Sequence, residues 1–133
     1  MKNWKDIYAE IKKCEQYGYF DITYKGKHDW EMLKDTIKFI EINEEKIKVG
    51  FAHCVYEIPL EKVLYVSEPN DICLKYRLRD DYYQVLARLE HFARNDNDLT
   101  ADYIKADIQK TQLLAHIEKL VGSKEKVIAF LQA

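Results

Sequence analysis

With 133 residues, 47% of them hydrophobic and 33% charged, the chain has the size and composition of one folded domain and not of a disordered segment. Its formal net charge of -2 disfavours a protein built mainly to grip nucleic-acid backbone, which calls for a basic excess. Three cysteines, Cys14, Cys54 and Cys73, at no CxxC spacing point away from a disulfide framework or zinc site and toward free thiols in a reducing cytoplasm.

The opening Met-Lys-Asn-Trp-Lys-Asp run is not apolar, so no signal peptide is expected. No stretch approaches the roughly 18 uninterrupted apolar residues that would suggest a membrane span. Gly and Pro number only 4 and 2, which leaves little chain for long loops. The abundance of Lys, Ile and Asn is the composition associated with AT-rich bacterial or phage genomes.

In chain order, Asn3 caps an amphipathic helix over residues 3–17, with Trp4, Ile7, Tyr8, Ile11 and Cys14 on one face and Gly18 as its stop. Residues 19–25, rich in aromatic and β-branched side chains, read as a strand. Residues 28–35 fit either a short helix or a loop. Residues 36–42 and 46–51 read as a strand pair joined by the Asn43-Glu44-Glu45 turn, and Ile47, Val49 and Phe51 alternate with Lys46, Lys48 and Gly50. Gly50 reads as a bulge in an apolar run that continues from Val55 to Ile58, with Pro59 interrupting it and residues 63–67 resuming. After the Pro69-Asn70-Asp71 turn, residues 72–79 alternate cleanly. Ile72, Leu74, Tyr76 and Leu78 fall on one side of a strand, and Cys73, Lys75, Arg77 and Arg79 on the other.

The last third is helical. Asp80 or Asp81 caps a helix to Arg94 carrying Val85, Leu86, Leu89 and Phe92. A polar break follows at residues 95–98. A longer helix over 100–121 carries Ile104, Ile108, Leu114, Ile117 and Val121. Gly122 ends it, and Ser123 caps a final helix over 124–132 whose Val127, Ile128, Phe130 and Leu131 leave it apolar on nearly all sides and therefore buried. Strands grouped before helices define an α+β chain: an N-terminal helix, an antiparallel meander of about five short strands that either closes into a small barrel or stays open, and C-terminal helices. The expectation is a single domain over 1–133, with 1–79 the helix and meander and 80–133 the helical part.

Between Ile22 and Val66 the chain resembles small SH3-like or Sm-like barrels, and among them the YolD-like family of small bacterial and phage proteins. The resemblance rests on the N-terminal helix, the Asp21-Ile22-Thr23-Tyr24 strand, the strand pair Ile37-Lys38-Phe39-Ile40-Glu41-Ile42 and Lys46-Ile47-Lys48-Val49, and the closing run from Ile58-Pro59 to Val66. It implies a short prolyl turn before the last strand and a small intracellular accessory protein. It carries no catalytic residue.

Chemistry-bearing constellations are weak throughout. GxSxG, P-loop and GxGxxG motifs are missing from the sequence. His28-Asp29 reads as a solvated pair, because adjacent side chains seldom aim at one atom. In a strand, the His53-Cys54 neighbours face opposite sides. An Asp35, Glu44 and Lys46 carboxylate–lysine set would place Glu44 in a turn, where such chemistry needs a rigid strand. No catalytic residue, cofactor or metal ligand is therefore assigned.

The feature favoured for recognition is the strip Lys75, Arg77 and Arg79, about 7 Å apart along a strand, with Tyr82, Tyr83 and Arg88 beside it. All four arginines lie between Arg77 and Arg94, and arginine favours bidentate contacts. The reading is a non-enzymatic cytoplasmic binding or regulatory protein, an inhibitor or accessory factor. It contacts another protein and pairs with itself through the C-terminal helices. Two readings stay open beside it: a nucleotide or other small molecule held at a dimer cleft, and a small-barrel nucleic-acid binder, which the net charge disfavours.

Overall fold

The computed structural model describes residues 3–28, 30–94 and 100–132. Its elements are helix α1 (Trp4–Lys13), strands β1 (Phe20–Lys25), β2 (Met32–Ile42), β3 (Lys46–Phe51), β4 (Cys54–Pro59) and β5 (Val63–Ser67), and helices α2 (Asp71–Arg94), α3 (Thr100–Val121) and α4 (Lys124–Gln132). The class is α+β, with a helix, a five-stranded antiparallel sheet and C-terminal helices. Two compact units divide the chain, residues 1–74 and 75–133.

In the first unit, the Asn3 side chain accepts a hydrogen bond from Asp6 N–H at 3.0 Å and starts α1, which buries Ile7 and Ile11. A single 3-10 turn, Glu15–Tyr17, follows, and Gly18 at φ +75° reverses the chain into β1. The sheet order is β4-β3-β2-β1-β5, with every pair antiparallel. The segment 32–35, left open between helix and loop, is the first part of β2. That strand is long because its two halves serve different neighbours. Residues 32–37 pair with β1, and residues 38–42 pair with β3 across a register slip between Phe39 and Glu41. Such a strand turns a corner between two sub-sheets. The sheet stays open in its hydrogen bonding, with β4 and β5 as its edges. A 3-10 turn at Leu60–Lys62, just after Pro59, joins them. The core under the curled sheet is Phe20, Ile22, Ile37, Ile47, Val49, Ile58, Leu60, Val63 and Val66 against Ile7, Ile11 and Cys14 of α1.

Two expectations are corrected. Gly50 is not a bulge. It pairs regularly with Val55 inside a tight β3–β4 hairpin turning at Ala52-His53. A Cβ at Gly50 would lie 2.6 Å from the Cys54 carbonyl oxygen, so the close strand approach is what requires glycine. The second correction is larger: residues 72–79 are helix, not strand. Asn70 caps α2, its side-chain oxygen accepting from Ile72 N–H at 3.0 Å and Cys73 N–H at 3.2 Å. Leu74, Leu78, Val85 and Leu89 then share one buried stripe at helical spacing. The period-2 pattern of Ile72, Leu74, Tyr76 and Leu78 was half accident, since Ile72 and Tyr76 are exposed. Asp80 and Asp81 consequently lie inside α2 and do not start it.

In the second unit, Val85 and Leu89 of α2 pack on Ala106 of α3, with Leu86 and Phe92 alongside. Gly122 at φ +98° ends α3, and Ser123 Oγ accepts from Lys126 N–H at 3.2 Å to start α4. The stripe expected on α3 splits. Ile117 is fully buried, while Ile104 and Ile108 are 53% and 51% exposed. At about 100° per residue, Ile108 points roughly 180° from Ile117. Nor is α4 buried all round: Val127 is buried, but Ile128 is 58% exposed. The polar break at 95–98 lies outside the described residues. Among the described residues, no helix is long and apolar enough to cross a membrane.

Candidate functional site

On a helix, the expected basic row becomes two groups. Lys75, Arg79, Tyr82 and Tyr83 recur at three- and four-residue steps and share a side of α2; Arg77 and Arg88, eleven apart, share another. The first group is turned onto the end of α4. Lys75 Nζ lies 5.7 Å from the Phe130 ring centre. Arg79 donates from its guanidinium to the Phe130 carbonyl at 3.3 Å and stacks 5.4 Å from the Tyr76 ring. Tyr83 Oη donates to the Leu131 carbonyl at 2.9 Å, and the Tyr82 ring meets Tyr83 edge-on at 5.8 Å. The last carbonyls of a helix lack intrahelical donors and carry the negative end of its dipole, so a guanidinium and a phenol there are a capping arrangement. The Arg79 Nε is buried without a hydrogen-bond partner. Arg77 is half-buried and Arg88 is exposed.

The residues considered for nuclease chemistry do not converge. Asp35 Oδ2 accepts from Tyr24 Oη at 2.7 Å and from Tyr56 Oη at 2.5 Å, and Tyr56 reaches it across β3. Burial, and then the Asp35 carboxylate, push the Tyr24 phenol up to about 12, and the same causes push Tyr56 higher still. Both phenols thus stay protonated at neutral pH and act as donors. Lys46 instead pairs with Glu57 at 2.5 Å, which raises the lysine and lowers the carboxylate. His28 stacks on Trp30 at 5.3 Å, while Asp29 lies outside the described residues. His53 sits in the hairpin turn and Cys54 opens β4, both exposed. Among the described residues, no three His, Cys, Asp or Glu side chains gather as a metal site would need.

Two features escaped the sequence. Asp21 is 1% exposed; Thr36 Oγ1 donates to it, Asn70 N–H donates at 3.1 Å, and Lys34 Nζ stands 3.6 Å away. It ties β1, β2 and the cap of α2 together. The other is a cleft of about 290 Å³ between α1 and the β1–β2 pair, lined by Tyr8, Ile11, Lys12, Lys38 and Phe39 among others. Neither had a local motif, because each assembles from residues far apart in the chain.

No protein-family model, curated protein or solved structure matches the chain.

Proposed function

We propose that this chain is a non-enzymatic binding or regulatory protein of the cytoplasm, an inhibitor or accessory factor that works through protein–protein contacts, and that its first contact is with a second copy of itself through the C-terminal helices. One observation carries the reading. On α3 the exposed Ile104 and Ile108 stand four residues apart, and the small exposed side chains of Thr111 and Ala115 continue their row at steps of three and four. That spacing is a helix–helix seam, and exposed apolar rows mark association surfaces. Exposed Tyr76 and Tyr83 on α2 add the half-apolar, half-polar side chains that interfaces favour. The free state of all three cysteines is compatible with a reducing compartment.

Light scattering and sedimentation over a wide concentration range test this, combined with capture from cell extract. Wild type is expected to dimerise and to show a melting temperature that rises with concentration, and Ile104→Glu with Ile108→Glu to be a folded monomer whose melting temperature does not, since both side chains are exposed in the single chain. A wild type that stays monomeric, and captures the same proteins as the double variant, overturns the reading.

A further inference from the structure

The two ends of the β1–β2 pair are unlike. At one end lies the cleft beside α1. Ile11, Cys14 and Phe20 are buried in its lining, and the half-buried Tyr8 and Phe39 rings meet edge-on there at 5.5 Å. Its charges are engaged within the fold. Lys12 is hydrogen-bonded to Tyr8 and faces Glu15 at 3.8 Å, and Lys38 lies 5.0 Å from the Tyr19 ring centre. Burial, and then Glu68, Glu10 and Asp21, push the Cys14 thiol up. What the cleft leaves open is apolar surface, which suits a neutral guest. At the other end, a closed turn holds out an apolar knob. Gly26 N–H donates to the Glu31 carbonyl at 2.8 Å, and Glu31 N–H to the His28 carbonyl at 2.9 Å. Trp30 is 81% exposed and stacks flat on His28. Met32 and Leu33 follow it, both exposed, and successive strand residues face opposite sides. Tryptophan leads the side chains that anchor interfaces, and one already held by a closed turn and a stacked ring loses little freedom on docking.

We propose that the Trp30 knob of one copy docks in the cleft of another. This contact goes beyond the helical one and uses residues of the first unit alone. The volume fits: about 290 Å³ lies at the floor of the usual range for ligand pockets, room for one indole and not for a helix. The knob cannot fill the cleft of its own chain. Phe20 pairs with Ile37 at the cleft end of the strands, and Lys25 with Met32 at the knob end. Five residue steps put those ends roughly 17 Å apart, beyond the reach of one side chain. The guest therefore comes from a second chain, and every copy carries one. Knob and cleft are different patches, so each copy can give one contact and take one. A single anchored tryptophan gives a dissociation constant on the order of 0.1–1 mM. Chains without the helical contact thus stay monomeric at micromolar concentration, and the knob joins copies only when they are concentrated or already paired.

The test is an NMR mixing experiment on full chains that all carry Ile104→Glu and Ile108→Glu, so that it reads the knob apart from the helical contact. A labelled Trp30→Ala chain offers a cleft and no knob, and it folds because the side chain removed is exposed. Unlabelled chain with Trp30 in place is expected to shift its Gly18, Tyr19 and Phe39 amides saturably. Unlabelled Trp30→Ala chain shifts none of them. In the reciprocal experiment the Trp30 indole N–H of a labelled chain moves when unlabelled Trp30→Ala chain is added. Tyr8→Ala in that added chain removes one aromatic ring from the cleft and weakens the effect about tenfold. Equal cleft shifts with and without Trp30 in the added chain, an indole signal indifferent to Tyr8→Ala, or no saturable shift up to about 5 mM overturns the proposal.

Discussion

Replacing Tyr24 by Phe removes one donor from the Asp35 carboxylate, and the structure sets both the size and the pH course of the effect. Tyr24 Oη donates to Asp35 Oδ2 at 2.7 Å. A hydrogen bond to a charged acceptor contributes roughly 1.5–3 kcal/mol. Asp35 keeps its second donor, Tyr56, so Tyr24→Phe should cost about 1.5 kcal/mol at neutral pH. The alkaline behaviour is the sharper signature. In the unfolded chain the phenol ionises near its ordinary value of 10.0, and in the folded chain near about 12. Between those values the folded chain holds a proton that the unfolded chain has released, so stability falls as pH rises. The contribution is fully present below about pH 10 and is gone above about pH 12. The full difference corresponds to roughly 2.7 kcal/mol. The ring is partly exposed, and solvent screening leaves roughly half of that.

Urea unfolding followed by far-ultraviolet circular dichroism, at a series of pH values from neutral to strongly alkaline, reads this directly. Wild type should lose more stability across the alkaline window than Tyr24→Phe, with the two curves converging at high pH. Asp35→Asn, which keeps the shape and removes the charge, should bring the tyrosinate absorbance of Tyr24 back toward the ordinary phenol range. Parallel alkaline curves for wild type and Tyr24→Phe would refute the raised phenol, and an unmoved tyrosinate transition in Asp35→Asn would refute the carboxylate's share in it, which is second to burial.

Three further predictions follow from the hairpin and the helices. Gly50→Ala drives a Cβ against the Cys54 carbonyl at 2.6 Å and should cost roughly 1–3 kcal/mol, read as a lower midpoint in urea. Ala52→Gly should do the opposite: Ala52 holds φ +51°, a left-handed conformation that costs an alanine about 1–2 kcal/mol, so relief outweighs the added glycine entropy by a few tenths to about 1 kcal/mol. Arg79→Met together with Tyr83→Phe removes two donors from the Phe130 and Leu131 carbonyls, and the amides of α4 should exchange hydrogen about tenfold faster while those of β2 and β3 do not change.

The sheet was legible because its information is local. The alternation of Ile47 and Val49 with Lys46 and Lys48 is a one-sided burial pattern, and those two residues are fully buried. Gly18, Ser123 and Asn3 were readable for the same reason, since a cap is chosen by side chains within three residues of it. Residues 72–79 failed because two periods coincide there. A pattern of four apolar residues at step two also contains Leu74 and Leu78 at step four, and only the continuation to Val85 and Leu89 decides for the helix. The Asn70 cap was also available in the sequence. Reading Pro69-Asn70-Asp71 as a turn hid the cap that makes Ile72 and Cys73 the first turn of α2.

That one misassignment changes what a binding experiment on the basic strip would measure. On a strand, Lys75, Arg77 and Arg79 project together, and any one of them reports on a shared ligand. On α2, Arg79 caps α4 and stacks on Tyr76, so Arg79→Ala removes a guanidinium whose neighbours were built around it. Loss of a partner in that variant would follow from a frayed α4 as readily as from a lost contact. Arg88 is exposed on the other side of α2. Substituting it costs little in folding, as surface changes do. A partner that tolerates Arg79→Lys but not Arg88→Ala reads the surface; one lost in Arg79→Ala but kept by Arg88→Ala reads the fold.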